Sequence, residues 1–242
     1  MTKLLFQEDS YIKEFDAIVV DVIGEKIILD QTAFHPGPSG GLDTDTGWLY
    51  FPELDYKTKV VRTYYERGKV VHQIESINED INKGMKVHGI IDWTRRYRMM
   101  RLHTASHIIA ALLYEKYNAR VTGGNISADS ARDDFDLSGL SNWKDILEWS
   151  INEANRIAKK CIEVKVYWLD REEAFKIPGI VKLADRFPPD IKKIRVVEIP
   201  NVDIQADGGP HVKNTCEIGE IILLKLESKG SKRRRVYYTV KP

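Results

Sequence analysis

The stretch MMRLHTASHIIAALLYEKY, residues 99–117, is the part of the chain around which the other elements are organised. It contains no Pro or Gly and is rich in Ala, Leu and other good helix formers, so it predicts an α-helix. The run IIAALL has no polar face, which indicates that the helix is buried. His103 and His107 are four residues apart, and residues with this spacing lie on one face of a helix, one turn apart.

Two imidazoles on one helix face can bind a single metal ion, each at roughly 2.0–2.1 Å. The alternative is that both histidines are hydrogen-bonded in the core or in a cleft, because buried polar groups need partners. The metal interpretation requires further ligands, and the segment NVDIQADGGPHVKNTCEIG, residues 201–219, offers them. His211 lies there, with Asp207 four residues before it and Cys216 five residues after it. Either could complete a four-coordinate zinc site. A peptidase is disfavoured, because Thr104 stands where the HExxH pattern requires a general-base Glu.

Composition places the chain among ordinary globular proteins. Hydrophobic residues make up 43% and charged residues 30% of its 242 residues. The formal net charge is only +1, so any contact with nucleic acid must come from a local basic patch. No apolar run approaches roughly 18 residues, and the N-terminus is too polar for a secretory signal, so no membrane association is expected. Two cysteines, Cys161 and Cys216, do not suggest a disulfide framework, and we expect a reducing cytoplasm.

The chain changes character near Asp92. Residues 1–92 contain short apolar runs around turn glycines, with hairpin signals at Gly24 and Gly68. Such closely spaced β-branched strands predict a small β-barrel. Residues 93–242 mix strands with helices and lack a regular βαβ alternation. The fold class expected for the whole chain is therefore α+β, with an antiparallel sheet and packed helices following the barrel.

A glycine-rich loop interrupts the strands of the first part. The segment HPGPSGGLDTDTG, residues 35–47, includes Gly40 and Gly41 and cannot continue a strand. One interpretation is a tight surface turn. The other is a backbone that approaches a ligand closely, because glycine offers no side-chain obstruction.

Four arginines precede or join the first histidine on the predicted helix: Arg95, Arg96, Arg98 and Arg101. Charged clusters usually form a solvated face. The functional interpretation is contact with phosphates, to which Arg contributes affinity without sequence information. Because this cluster lies beside the proposed metal helix, we expect it to be a phosphate-binding surface.

HTASH followed about a hundred residues later by DGGPHV resembles the editing domain of alanyl-tRNA synthetases and their free-standing relatives, the AlaX proteins. The family pattern is HxxxH plus CxxxH, and Asp207 occupies the position of its Cys. Aspartate is an acceptable zinc ligand but is harder than thiolate. The glycine-rich segment is also similar to a motif of this family, with matches at Phe34, Pro36, Gly40, Gly41, Asp45 and Gly47.

The resemblance implies a medium-length, free-standing editing protein that lacks an aminoacylation domain. It implies a zinc ion on His103, His107, Asp207 and His211, and hydrolysis of tRNA(Ala) mischarged with serine or glycine. A zinc-bound water would be the nucleophile, and no catalytic side chain is implied. Gly40 and Gly41 would help to shape the substrate entrance, and the arginine cluster from Arg95 to Arg101 would be the tRNA-binding surface.

Thr122 has a position similar to that of a pocket threonine in the family, which would contact the serine hydroxyl, although strand propensity alone also explains a threonine there. Two other functions stay open at this point. One is a zinc-stabilised RNA-binding module without catalysis, and the other is a zinc hydrolase of another small ester or amide.

Overall fold

The computed structural model describes residues 2–177, 180, 192–230 and 232–241. The chain divides into two compact units, residues 1–97 and 98–242. This division falls inside a helix, and the expected domain boundary near Asp92 stays a prediction. The α+β class is confirmed: the first unit contains a closed barrel, and the second combines helices with antiparallel sheets. Among the helices of the described residues, none has the length and apolar character that a membrane span needs.

Eight strands form the first unit. They are β1 (Lys3–Leu4), β2 (Glu14–Ile23), β3 (Lys26–Leu29), β4 (Gln31–Thr32), β5 (Gly47–Phe51), β6 (Tyr56–Glu66), β7 (Lys69–Ile74) and β8 (Lys86–Ile91). Six of them close into a barrel in the order β2-β3-β7-β6-β5-β8, and β1 pairs with β4 in parallel. The predicted barrel is therefore present.

The side chains of the strands alternate between buried and exposed, and the buried ones fill the barrel. In β2, Phe15, Ala17 and Val19 are buried while their neighbours are exposed, because successive side chains of a strand point to opposite faces. The two predicted hairpins are confirmed: β2 pairs with β3 across Gly24, and β6 pairs with β7 across Gly68. Both glycines have positive φ, at 56° and 77°, which a residue without Cβ adopts at no steric cost.

The predicted helix of residues 99–117 lies within α1 (Trp93–Tyr117). It begins earlier than predicted because the Asp92 carboxylate accepts a hydrogen bond from the backbone N–H of Arg95, at 3.1 Å. This contact satisfies a donor that the first turn would otherwise leave unpaired. The helix ends at Asn118, which has φ 52° and donates its N–H to the Tyr114 carbonyl at 2.9 Å, a left-handed cap.

In the part of the second unit that the structure describes, two further α-helices and seven strands follow α1. They are β9 (Val121–Ile126), β10 (Ala131–Asp136), α2 (Trp143–Ala158), β11 (Lys165–Asp170), α3 (Arg171–Phe175), β12 (Lys193–Ile199), β13 (Asp203–Ala206), β14 (Glu220–Lys229) and β15 (Arg233–Lys241). The strands form a four-stranded sheet in the order β14-β15-β10-β9 and a three-stranded sheet in the order β11-β12-β13. Pairing between neighbouring strands of both sheets is antiparallel.

Helix α2 is tied to the larger sheet by one side chain. Asn155 donates its amide to the carbonyl of Ile221 and accepts the N–H of the same residue, both at 2.8 Å. This pair of bonds satisfies both halves of a half-buried amide. The apolar stripe of α2, which includes Ile146 and Ile151, is buried.

Cys161 and Cys216 form a disulfide, which corrects the expectation of two unpaired cysteines. The bond joins the turn after α2 to a 3₁₀ helix at Thr215–Ile218. The two residues are 55 positions apart in sequence, and their Cα atoms are 4.6 Å apart. Sequence spacing carries no information on such a pairing, because folding brings the two segments together.

Candidate metal centre

Four side chains of the second unit converge on one point. His103 and His107 come from consecutive turns of α1, and Asp207 and His211 come from the loop after β13. Their potential ligand atoms all lie within 4.8 Å of one another. The three histidines are buried, and the Asp207 side chain is 16% exposed. The rings of His103 and His211 are stacked, with centroids 4.1 Å apart.

The two helix histidines are each held by the ring nitrogen that faces away from this point. Nδ1 of His103 lies 3.2 Å from the carbonyl of Pro210. Nδ1 of His107 lies 3.0 Å from Oδ2 of Asp203 and 2.5 Å from Nε2 of Gln205. The Pro210 carbonyl and the Asp203 carboxylate are acceptors, which fix the proton at Nδ1 and leave the Nε2 lone pair for a metal, whereas the amide nitrogen of Gln205 is a donor.

Thr104 holds the third histidine. Its hydroxyl donates to the Met100 carbonyl at 3.0 Å, so its oxygen accepts from Nδ1 of His211, also at 3.0 Å. Nε2 of His211 then faces Oδ1 of Asp207 at 3.0 Å. Two acceptors this close are stabilised by a cation between or beside them. Thr104, which stands where a peptidase would have its general-base Glu, therefore orients the His211 ring.

Electrostatics favours the protonation states that a metal requires. Burial lowers the pKa of His211, and the charges of His103 and His107 lower it further, so it stays well below its ordinary value. Burial raises the pKa of Asp207, but the charge of His103 and the contact with His211 outweigh burial and hold the pKa well below its ordinary value. A neutral imidazole and an ionised carboxylate are the forms that bind metal ions.

The donor set fits a zinc ion. Imidazole nitrogen and carboxylate oxygen are both established zinc ligands, and four protein ligands are typical of a closed site. Cys216, the alternative fourth ligand, is bound to Cys161 and has no thiolate to offer. Asp207 is the residue that lies in the group.

Asp203 and Gln205 were not anticipated from the sequence, although a signal for them exists. They lie at alternate positions of β13 and are followed by Asp207 two residues later. Alternate residues of a strand share a face. The segment DIQAD therefore brings three polar side chains to the side of the sheet that meets α1.

Thr122 lies on β9, the last strand of the four-stranded sheet, and is exposed. Its hydroxyl donates to the Asp134 carbonyl at 3.2 Å. On the neighbouring strand β10, Asp133 is buried and accepts hydrogen bonds from Ser106 and Tyr238. Burial raises the pKa of Asp133, while those two hydrogen bonds lower it in part. The contact of Thr122 with substrate stays a prediction.

The predicted basic cluster separates into two kinds of residue. Arg96 is fully buried and donates to Asp45, Ser10 and Ala33. Arg101 is 5% exposed and donates to the carbonyls of Ile218 and Lys241. Because both side chains are buried and donate to these acceptors, they have little surface to offer to phosphate. The burial of Arg96 and Arg101 disfavours a direct contact with tRNA, and their role stays a prediction.

The other two arginines are only partly buried. Arg95 donates to Asp43 at 2.6 Å and to the Thr44 carbonyl at 2.9 Å. Arg98 donates to the Ala128 carbonyl at 2.7 Å. Both residues are partly exposed, and their contact with tRNA stays a prediction.

Gly40 and Gly41 are the central residues of a tight turn. Ser39 and Leu42 exchange backbone hydrogen bonds at 3.1 and 3.0 Å, and the two glycines have φ of 61° and 87°. Two consecutive positive φ values define a turn that glycine accommodates best. This geometry accounts for both glycines locally, and their role at a substrate entrance stays a prediction.

Comparison with known proteins identifies the class of domain to which part of the chain is similar. The pattern of a domain described as "Threonyl and Alanyl tRNA synthetase second additional domain" matches residues 194–237, which include Asp207 and His211. Among whole proteins, the chain is 57% identical over its full length to the complete alanyl-tRNA editing protein AlaX-M of Saccharolobus solfataricus. It is 39% identical to AlaX-M of Methanosarcina acetivorans over 99% of both chains.

An alanine–tRNA ligase of Thermococcus kodakarensis is 36% identical over 93% of this chain, which corresponds to 24% of the ligase. The chain belongs to the AlaX family of alanyl-tRNA editing proteins. The family resemblance expected from HTASH and DGGPHV is confirmed.

Proposed function

We propose that the protein is a trans-editing deacylase that hydrolyses tRNA(Ala) mischarged with serine, and also the glycyl form, with zinc bound by His103, His107, Asp207 and His211. The observation that carries this proposal is the convergence of the four side chains within 4.8 Å. The names of the relatives, alanyl-tRNA editing proteins, support the substrate. Cytoplasmic localisation belongs to the same proposal.

The chain's own residues would orient the metal ligands. Pro210, Asp203 and Thr104 each bind one Nδ1, so that all three imidazoles present Nε2 to the same point. Bound there, zinc supplies a Lewis acid that can polarise an ester carbonyl or activate a water. Water is the proposed nucleophile. Both cysteines of the chain are joined in a disulfide, which excludes a thiolate nucleophile in this state.

Selectivity would come from recognition of the serine hydroxyl. An apolar pocket separates such near-isosteres by only about a hundredfold, whereas a site that hydrogen-bonds the hydroxyl discriminates against a substrate that lacks it. Thr122 donates its own proton to the Asp134 carbonyl, so its oxygen has lone pairs available to accept from serine.

Binding of the tRNA would be partly electrostatic. Arg95 and Arg98 are the two cationic residues of the α1 cluster with exposed surface. Phosphate contacts release counterions, so affinity should fall as salt rises. With a net charge of only +1, the protein has little general attraction for RNA, and these local contacts matter more.

The test is a deacylation series on seryl-, glycyl- and alanyl-tRNA(Ala) with zinc-loaded protein. Seryl-tRNA should be hydrolysed and alanyl-tRNA spared. The variant His107→Ala should lose both turnover and stoichiometric metal, while tRNA binding remains. His88→Ala is the matched control, because His88 lies on the barrel strand β8 and contacts Asp16. The proposal fails if zinc-loaded protein leaves seryl-tRNA as long-lived as buffer alone does.

A further inference from the structure

One buried acid of the second unit has no part in the proposed metal site. Asp133 on β10 is 3% exposed. Its Oδ2 accepts hydrogen bonds from Ser106, at 2.8 Å, and from Tyr238, at 2.7 Å. Ser106 precedes His107 on α1. The carboxylate therefore lies against the same helix as the metal ligands, one side chain away from them.

The second carboxylate oxygen faces an open position on the neighbouring strand. Both hydrogen bonds above end on Oδ2, and the residues that the structure describes supply no donor to Oδ1. Gly124 is paired directly opposite Asp133 on β9. A Cβ at Gly124 would lie 3.0 Å from Oδ1, so any larger residue would crowd this oxygen. Because β9 is the last strand of its sheet, the space can be reached from one side.

Charge is also unbalanced at this position. The next residue, Asp134, receives two hydrogen bonds from Arg235, at 2.6 and 2.8 Å. The donors to Asp133 are neutral hydroxyls, and none of the ion pairs within the described ranges involves it. A buried carboxylate without a cation is costly, and a hydrogen-bonded cation offsets much of that cost. The missing partner is a small group with positive charge and N–H donors.

The proposed substrate carries such a group. An aminoacyl ester has an ammonium on the carbon next to its carbonyl, so the ammonium stays within a few bonds of the reacting carbon. The register of β9 against β10 shifts beside Thr122, between Asp134 and Phe135, and Gly124 is the residue of β9 that pairs with Asp133. We propose that Asp133 binds the α-ammonium of the aminoacyl ester through Oδ1, across Gly124.

This inference rests on the proposed function for the identity of the ester. Serine, glycine and alanine all carry the ammonium, so Asp133 confers affinity on each of them. It would orient the amino acid relative to the metal, and the hydroxyl contact of Thr122 would supply discrimination. Esters with a blocked amine would be poor substrates.

Binding can be measured without turnover. The probe is 3′-(seryl-amino)-3′-deoxyadenosine, an amide analogue of the charged acceptor end, compared by calorimetry with its N-acetyl form. The parent protein should bind the free amine at least about tenfold more tightly than the acetylated form, since charged hydrogen bonds are the strong ones. Asp133→Asn keeps an acceptor for Ser106 and Tyr238 but removes the charge, and it should abolish this difference.

Asp136→Asn is the matched control. Asp136 lies on the same strand and accepts from the N–H of Ser138 at 3.0 Å, and the preference for the free amine should survive in this variant. Deacylation of seryl- and N-acetyl-seryl-tRNA(Ala) gives a second readout, in which Asp133→Asn should slow only the first.

Equal binding of the two analogues by the parent protein would overturn the inference, whether or not the protein deacylates tRNA. If Asp133→Asn lost affinity for both analogues equally, the carboxylate would only support the fold, and the inference would be wrong. Absence of turnover with a retained amine preference would reject the proposed function and leave the ammonium site standing.

Discussion

The hydroxyl oxygen of Thr104 lies 3.0 Å from Nδ1 of His211, a residue 107 positions later in the chain. Thr104 stands between the two helix histidines and accepts the proton of the third one. It also lies 3.4 Å from the backbone N–H of Val212. One side chain of α1 thus fixes both the ring orientation and the backbone of the loop that carries Asp207 and His211.

We predict that Thr104→Val weakens zinc binding without unfolding the protein. Valine has nearly the same shape but cannot accept the His211 proton, and loss of such an outer contact typically reduces metal affinity by about ten- to a hundredfold. Competition with a chromophoric chelator measures the change. Thr239→Val removes an exposed hydroxyl that donates to Asp129, and unchanged affinity in that control is expected. Equal affinity in the parent protein and Thr104→Val would contradict this role.

The local elements could be predicted from the sequence, because period-two strands, turn glycines and a Gly- and Pro-free helix are encoded within a few residues. The helix histidines could be paired for the same reason. Asp92 lies where the strand pattern ends, and no local pattern there indicates that its carboxylate caps α1. The contact between Thr104 and His211 depends on tertiary proximity, which no local pattern encodes.

The arginine cluster shows a second limit of prediction from the sequence. Charge predicts exposure for most arginines, yet Arg96 and Arg101 are buried while Arg95 and Arg98 are not. The sequence contains the partner carboxylate, Asp45, 51 residues away from Arg96. Nothing in the spacing marks it as the partner.

His72 should make the stability of the barrel unit depend on pH. Burial lowers its pKa from 6.5 to about 4, although the hydrogen bond to Ile27 opposes this shift. The neutral ring is satisfied on both sides, with Nδ1 3.1 Å from the Ile27 carbonyl and Nε2 2.8 Å from the Thr32 hydroxyl. Below pH 6.5 His72 becomes protonated in the unfolded chain, whereas it stays neutral in the folded chain until the pH approaches about 4.

The free energy of unfolding should therefore fall as the pH drops from about 6.5 to about 4, by roughly 3 kcal/mol in total. Urea denaturation at several pH values measures this slope, and His72→Gln should remove it. The effect of His88 on the free energy of unfolding should have the opposite dependence on pH, because its contact with Asp16 raises its pKa. The stabilisation from His88 is present at low pH and is lost as the pH rises. A His72→Gln variant with the parent's pH profile would refute the assignment.

The disulfide should contribute to thermal stability. It closes a loop of 55 residues, for which chain entropy gives about 4 kcal/mol. Cys216→Ser should lower Tm, and reductant should lower the Tm of the parent protein while leaving the variant unchanged. Thiol titration of denatured protein should find free thiols only after reduction. Free thiols in unreduced protein would show that the bond does not form in solution.

Arg96 should stabilise the barrel unit rather than bind tRNA. Its guanidinium contacts both oxygens of Asp45, with Nε at 3.0 and 2.9 Å, and both side chains are almost completely buried. Arg96→Leu leaves the carboxylate buried without its cation, which typically costs about 3–5 kcal/mol.

The double variant Arg96→Leu with Asp45→Leu should recover much of that loss, because a buried ion pair can be replaced by apolar residues at little net cost. Urea denaturation measures all three proteins. Arg98→Gln should leave stability nearly unchanged and weaken tRNA binding at low salt. If Arg96→Leu remained as stable as the parent protein and lost only tRNA affinity, Arg96 would belong to the RNA surface after all.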